Sequence, residues 1–244
     1  MLGDMVRLVP NVQEELGSSK TRGLKMDTSN THATLNCCFC EEISSKAFPD
    51  QYRSAYPVVS RICLETDEFV VLPTLSPLCA GHVLVLPRRH VTNLAALPER
   101  ARKALLECAE STVSQLAERF GSDLYFFEHG VPRAGLACGV DHAHLHILPM
   151  STGTATEVES RIETDFPALD SDDLVQALSL TTQVKTTSYL LHGPSLDSIR
   201  MSFGESIPSQ YMRHLIAEIE CRSDWDWKLL SGRTEFLSTC DALK

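Results

Sequence analysis

The sequence predicts an α+β fold, and three observations predict it. Apolar runs of strand length recur through the chain, such as Phe69 to Leu72 and Val83 to Leu86. One long stretch carries helical periodicity. Near residue 145, three histidines alternate with apolar residues in a pattern that only an extended strand puts to use.

The elements follow from local signals. A strand from Val58 to about Leu64 ends at the turn Glu65-Thr66-Asp67, and a second covers Phe69 to Leu72. Gly81 opens a third, His82 to Leu86, which Pro87 closes. Pro98-Glu99-Arg100 starts a long helix, with Ala101, Leu105, Ala109, Thr112, Val113, Leu116 and Phe120 on its inner face and Gly121 as its stop. Leu124 to Phe127 reads as a strand. Glu128 to Gly139, with Gly130, Pro132, Gly135 and Gly139, reads as a loop, and Asp141 to Leu148 as the strand that follows, closed by Pro149. Beyond Met150, Ser151 to Glu157 reads as a linker and Leu169 to Leu180 as a helix with acidic residues at its start. Ser188 to Leu191 and Ser198 to Phe203 read as two strands joined through Gly193-Pro194. Ile207 to Glu220 reads as a helix with Pro208 in its first turn, and Thr234 to Leu243 as a short last helix. The expected organisation is a polar tail over residues 1–33, a domain over 34–150 and an α+β C-terminal extension over 151–244.

Composition bounds the function. A net charge of −10 lacks the basic field that a nucleic-acid polymer binder needs, so none is expected as a partner. A small phosphorylated substrate needs only a few local cations. No apolar run approaches a membrane span, and the first 32 residues mix acidic, basic and polar types without the apolar stretch of a secretory signal. Nine cysteines, an odd number, then point to reduced thiols in a cytoplasmic setting.

In a strand His142, His144 and His146 share one face, while Ala143, Leu145 and Ile147 share the other and can bury. Three imidazoles in a row are too polar for a core stripe. Two chemistries use such an array. One is metal ligation by neutral imidazole. The other is nucleophilic attack on phosphorus, in which a neutral imidazole forms a phosphoramidate and its neighbours donate to the phosphoryl oxygens.

The segment His142-Ala-His144-Leu-His146-Ile-Leu148-Pro149 resembles the signature of the histidine-triad (HIT) superfamily. Upstream, Glu65 to Val71, Pro77, Gly81 to Pro87 and His90 are similar to the segments that precede that signature, so the resemblance covers roughly residues 37 to 150. It implies an antiparallel sheet with the long helix packed on it, and a nucleotide-type phosphohydrolase or nucleotidyl transferase, with hydrolysis favoured. His144 would be the nucleophile, with His142 orienting it and His146 contacting phosphate. His82 matches a position near the triad, with a structural strand histidine as the equal alternative. Thr74 stands where a ribose-contacting Asp or Asn is usual, and Gly139 where a phosphate-contacting Ser or Thr is usual, its backbone N–H able to serve instead. His129 lies near a phosphate-binding amide position.

Cys37 and Cys40 form a C-x-x-C pair. In some branches such a pair binds structural zinc with two histidines, which by position would be His90 and His142. The resemblance also implies a homodimer. In the extension, Gln210 and Arg213 lie one turn apart near a predicted helix start, where Arg213 can neutralise a phosphate. Trp225 and Trp227 are core anchors there or a platform for a base or sugar. The alternative function is a zinc-binding interaction module without catalysis.

Overall fold

The computed structural model describes residues 37–131, 141–181 and 188–244; the expected tail and Gly139 lie outside them. Eight strands form one sheet: β1 (Leu64–Glu65), β2 (Phe69–Pro73), β3 (Val83–Pro87), β4 (Leu124–Gly130), β5 (Leu145–Pro149), β6 (Ala168–Ser171), β7 (Ser188–Ser195) and β8 (Ser198–Gly204). Their spatial order is β1-β2-β3-β5-β4-β7-β8-β6, and every neighbouring pair is antiparallel. The expected α+β fold with an antiparallel sheet is what forms. The strands of the extension prolong the sheet across β4, with Phe127 opposite His192 and Gly130 opposite Tyr189.

The long helix α2 (Glu99–Phe120) starts after Pro98 and stops at Gly121, whose φ of 93° suits a residue without Cβ. Its buried stripe of Ala101, Leu105, Ala109 and Leu116 packs on Val71, Val85, Phe126 and Leu145, the core of one sheet face. The other face is covered in two places. Helix α1 (Cys38–Ser45) packs Phe39 and Ile43 on Val70, Leu72, Leu84 and Leu86. Helices α3 (Thr152–Asp165) and α5 (Tyr211–Ile219) pack on Tyr125, Phe127 and Leu148. Between them the sheet face stays open, and the histidines line that opening. Helices α4 (Leu174–Leu180) and α6 (Arg233–Ala242) are the remaining α-helices among the described residues.

Several expected elements change. Residues 58–63 are not a strand; ladder pairing begins at Leu64. The expected linker after Met150 is helix α3. The Ser151 hydroxyl caps it by accepting from the Thr154 N–H at 3.1 Å, and Ala155, Val158 and Ile162 supply a buried stripe. The expected helix from Leu169 is strand β6 followed by the shorter α4, because Asp173, not the acidic residues before it, caps the helix through Gln176 N–H at 2.7 Å. Helix α5 begins at Tyr211, leaving Pro208 in the preceding turn and Gln210 left-handed at φ 57°. Glu128 to Gly130 belong to β4 and not to a loop.

Gly81 makes the turn into β3 at φ +87°, and a Cβ there would sit 2.8 Å from Pro149 and 2.9 Å from Phe120. Gly81→Ala is therefore expected to destabilise the fold by about 1–3 kcal/mol, from backbone strain plus crowding. A denaturant midpoint equal to wild type would contradict this.

Candidate active site

The triad segment is a strand only from Leu145. Just before it, Ala143 N–H donates to Val91 O at 2.8 Å, so His142 and His144 sit on an extended lead-in held by the segment after β3 instead of by the ladder. Alternation persists through this lead-in. Ala143, Leu145 and Ile147 enter the core under α2, while His144 and His146 line the open cleft.

The protons of His82, His142 and His144 are assigned by backbone partners, and that of His146 by His82. Leu78 N–H donates to His82 Nδ1 at 3.2 Å, so the His82 proton is on Nε2. That nitrogen donates to His146 Nδ1 at 2.9 Å, which leaves His146 with its own N–H on Nε2 as a donor. The His146 ring is clamped against Phe127, with centroids 4.1 Å apart and planes 11° from parallel. His144 donates from Nδ1 to the His142 carbonyl at 2.7 Å, which leaves Nε2 with an unshared lone pair. His142 donates from Nε2 to Pro87 O at 2.8 Å, so its free lone pair is on Nδ1. A histidine with one nitrogen tied to a carbonyl is thereby a base or ligand at the other.

Burial and charge keep these rings neutral. Desolvation lowers the pKa of His144, opposed by its hydrogen bond to His142 and reinforced by the nearby Arg213 guanidinium. His82 and His146 are pushed down further, again by burial first. Burial also takes His129 to about 4, with His144 adding to the effect. His129 stands on β4 beside the cleft, and both of its ring nitrogens are buried without a hydrogen-bond partner among the described residues.

The sign of the pH dependence follows. The folded His129 binds a proton less readily than the unfolded chain does, so its contribution is complete above pH 6.5 and is lost as pH falls toward 4. That contribution is on the order of 3 kcal/mol, and the buried triad histidines act in the same direction. Glu128 does the reverse. Burial raises it to about 8 despite its bonds from Tyr189 and Leu94. Its contribution is present at acid pH and lost as pH rises through 8. The thermal midpoint is expected to drop steeply between pH 6.5 and 4; a flat profile in that window would contradict the assigned neutral state.

The cleft has two lobes that meet at His144, His146 and Arg213. One is largely apolar, with about 600 Å³ of open space, and is lined by Phe39, Tyr52, Thr74, Leu75, Leu84 and Trp227 among others. At its wall the Arg61 guanidinium makes a buried two-point ion pair to Glu42, 2.8 Å at each contact. The other lobe is more polar and holds Thr92, His129, Gln210 and Arg213.

The expected site residues thus separate into groups. His144, His146, Thr74, His129, Gln210 and Arg213 all line the cleft. Thr74 directs its hydroxyl to the Leu75 carbonyl at 3.3 Å. Arg213 is buried, and its guanidinium also donates to Trp225 O and Ser76 O. Gln210 is engaged with Asp226 at 3.0 Å and with Trp227 N–H at 3.2 Å. These two residues therefore fasten the extension to the site, and the first-turn amides of a helix are not what they offer, because α5 begins after Gln210. His82 is fully buried behind His146 and does not line the cleft. Sequence reasoning missed Phe39, which sits inside the C-x-x-C pair, and Tyr52, Leu75 and the Glu42–Arg61 pair, which come from segments with no motif of their own.

Cys37, Cys40, His90 and His142 converge, with all four ligand atoms within 4.8 Å of one another. Cys37 Sγ and Cys40 Sγ lie 3.4 and 3.5 Å from His142 Nδ1, and Cys40 Sγ lies 3.4 Å from His90 Nδ1. Tetrahedral zinc with ordinary Zn–S and Zn–N bonds requires S···N edges of about 3.5 Å. The donor set, the spacing and the lone pair on His142 Nδ1 all suit a closed metal centre.

A family model described as HIT domain matches residues 58–153. An uncharacterized HIT-like protein of Borreliella burgdorferi is 27% identical over 116 residues, which are 47% of this chain and 75% of that protein. The bis(5'-nucleosyl)-tetraphosphatase [asymmetrical] of Schizosaccharomyces pombe is 30% identical over 112 residues, 43% of this chain. The bis(5'-adenosyl)-triphosphatase of Dictyostelium discoideum is 33% identical over 91 residues, 37% of this chain. The chain spans 58% and 60% of the length of those two hydrolases. Among solved structures, a Zn-bound histidine triad family protein from Mycobacterium smegmatis is 21% identical with a TM-score of 0.37, over 49% of this chain and 78% of that one. Residues 58–153, with the three alternating histidines inside them, are therefore a HIT domain, and the rest of the chain extends it.

Proposed function

We propose that the protein is a nucleotide-type phosphohydrolase that acts through a covalent intermediate on His144, with nucleotidyl transfer as the same chemistry to another acceptor. The observation that carries this is the 2.7 Å bond from His144 Nδ1 to the His142 carbonyl. It leaves Nε2 as a nucleophile in a ring that burial keeps unprotonated. The Nε2 lone pair forms the bond to phosphorus, and the bond to the leaving oxygen breaks with its electron pair. The positive charge on the substituted ring is stabilised by the His142 carbonyl. In this reading the His146 N–H and the Arg213 cation stabilise charge on the phosphoryl oxygens, and His129 offers a further donor. Water then attacks phosphorus, the P–N bond breaks with its electron pair returning to Nε2 so that the neutral imidazole is restored, and the proton lost by the water passes to solvent.

The substrate we assign is small and nucleotide-linked, in keeping with the polyphosphate hydrolases among the relatives. Among the described residues, no helix is long and apolar enough to cross a membrane. A homodimer and a cytoplasmic setting complete the reading.

For the cluster of Cys37, Cys40, His90 and His142 we assign zinc, in a structural role. It would tie α1 to the segments beside β3 and β5 and hold His142, whose carbonyl in turn orients His144. The test is intact mass after brief incubation with an adenosine phosphoramidate or a dinucleoside polyphosphate. A nucleotidyl adduct mapping to His144 is the expected result. Turnover that persists unchanged in His144→Ala would sink the proposal.

A further inference from the structure

The apolar lobe contains a wall that the HIT domain does not supply. Trp227 lies in the extension, outside residues 58–153, yet it lines the same lobe as Phe39 and His144. Phe39 stands 5.7 Å from the His144 ring, centroid to centroid, so the lobe begins where phosphorus would be attacked.

The Trp227 backbone is pinned from both sides. Its N–H donates to Gln210 Oε1 at 3.2 Å, and its carbonyl accepts from the buried Ser76 hydroxyl at 3.0 Å. Ser76 also receives Ser231 N–H at 3.0 Å on its hydroxyl. Its own N–H donates to the Tyr56 hydroxyl at 3.0 Å, which donates to Ser231 O. The Ser76 carbonyl accepts from Arg213. One short loop after β2 thus holds the Trp227 segment, and the residue that holds the loop is the cation beside His144. Trp227 is only partly buried: it packs against the cluster of Phe48, Tyr56 and Phe236 and also lines the lobe.

We propose that Trp227 is a stacking platform for the planar base of the substrate, and so a specificity-determining residue. It is held in register with the phosphoryl site through Arg213, Ser76 and Gln210. This rests on the nucleotide reading above. An aromatic base is the occupant that the lobe fits, because its lining is dominated by flat and aliphatic side chains and its one ion pair is already satisfied. Phosphate binds at the His146 and Arg213 end while the base lies against the indole. Selectivity for a nucleoside over a bare phosphate ester then comes from the extension.

The chain has two tryptophans, which makes the test direct. Trp225 packs edge-on against His214 at 5.0 Å and does not line the lobe. Adenosine 5′-monophosphate is titrated while indole fluorescence is followed, with ribose 5-phosphate as the probe that lacks a base. The nucleotide is expected to quench wild type and Trp225→Phe but not Trp227→Phe. Trp227→Ala is expected to weaken nucleotide binding about 5- to 150-fold, the range of one base–aromatic stack, and to leave ribose 5-phosphate binding unchanged. Should Trp227→Ala fail to fold, the pattern of quenching in the two Phe variants decides the matter. Quenching that follows Trp225, or wild type that binds the nucleotide no more tightly than ribose 5-phosphate, overturns the proposal. If the His144 adduct still forms in either case, the nucleotidyl chemistry stands and only the role of Trp227 falls.

Discussion

His144→Ala is expected to abolish turnover, by roughly four orders of magnitude or more in kcat, with little change in stability. The magnitude follows from removing a covalent nucleophile whose partners act as a unit with it. The ring is lost from a cleft wall and not from the packed core, and the single backbone bond it makes is to a carbonyl that water can satisfy. Stability should therefore change by about 1 kcal/mol or less. His146→Ala is expected to behave differently. It removes a ring stacked on Phe127 and leaves the fully buried His82 Nε2–H without its acceptor. That variant should lose stability, by about 1–3 kcal/mol, as well as rate. Steady-state kinetics beside chemical denaturation of both variants separates the two cases. Equal stability losses would mean that the His82–His146 bond does not hold the site. The acid limb of kcat/KM in wild type should fall below pH 6.5, because burial and Arg213 both lower the His144 pKa.

The second large effect concerns the metal cluster. Cys40→Ser, or exhaustive chelation, is expected to lower stability by several kcal/mol and to reduce activity as well. The four ligands come from three separate segments: α1 and its cap, the loop after β3, and the lead-in to β5. Zinc bound there would crosslink them as a closed Cys₂His₂ centre, and its binding energy would be folding energy. Without it, burial and the neighbouring Cys37 raise the Cys40 thiol to about 12, so that thiolates no longer form there. The loss of activity would be transmitted through His142, which offers Nδ1 to the cluster and its carbonyl to His144. Metal content by mass spectrometry, read beside the thermal midpoint, checks this. One zinc per chain in wild type and none in Cys40→Ser is the expected pair of results. Undiminished zinc in the variant would rule out the site.

What could be read in advance depended on how local the cause was. Helix α2 was legible to its ends because Pro98, the apolar stripe and Gly121 are all local signals. The burial of Ala143, Leu145 and Ile147 against the exposure of the histidines to the cleft was legible because strand alternation is a property of the backbone. Helix α3 was missed, since Thr and Gly in its first turn outweighed the Ser151 cap as a signal. Strand β6 was missed because its partner, β8, lies 30 residues away along the chain.

By itself, the sequence determined the chemistry available to this protein: three imidazoles in alternation, a C-x-x-C pair with His90, and a cation at Arg213. Only the tertiary structure decided which nitrogen of each ring is free. That depends on Pro87 O, His142 O and Leu78 N, backbone groups with no signature in the residue type. Only the tertiary structure, too, brought Phe39, Tyr52 and Trp227 to one lobe. Their distance along the chain carries no information about their distance in space until the sheet has closed β4 against β7 and the buried Arg213 has drawn the extension onto the loop after β2.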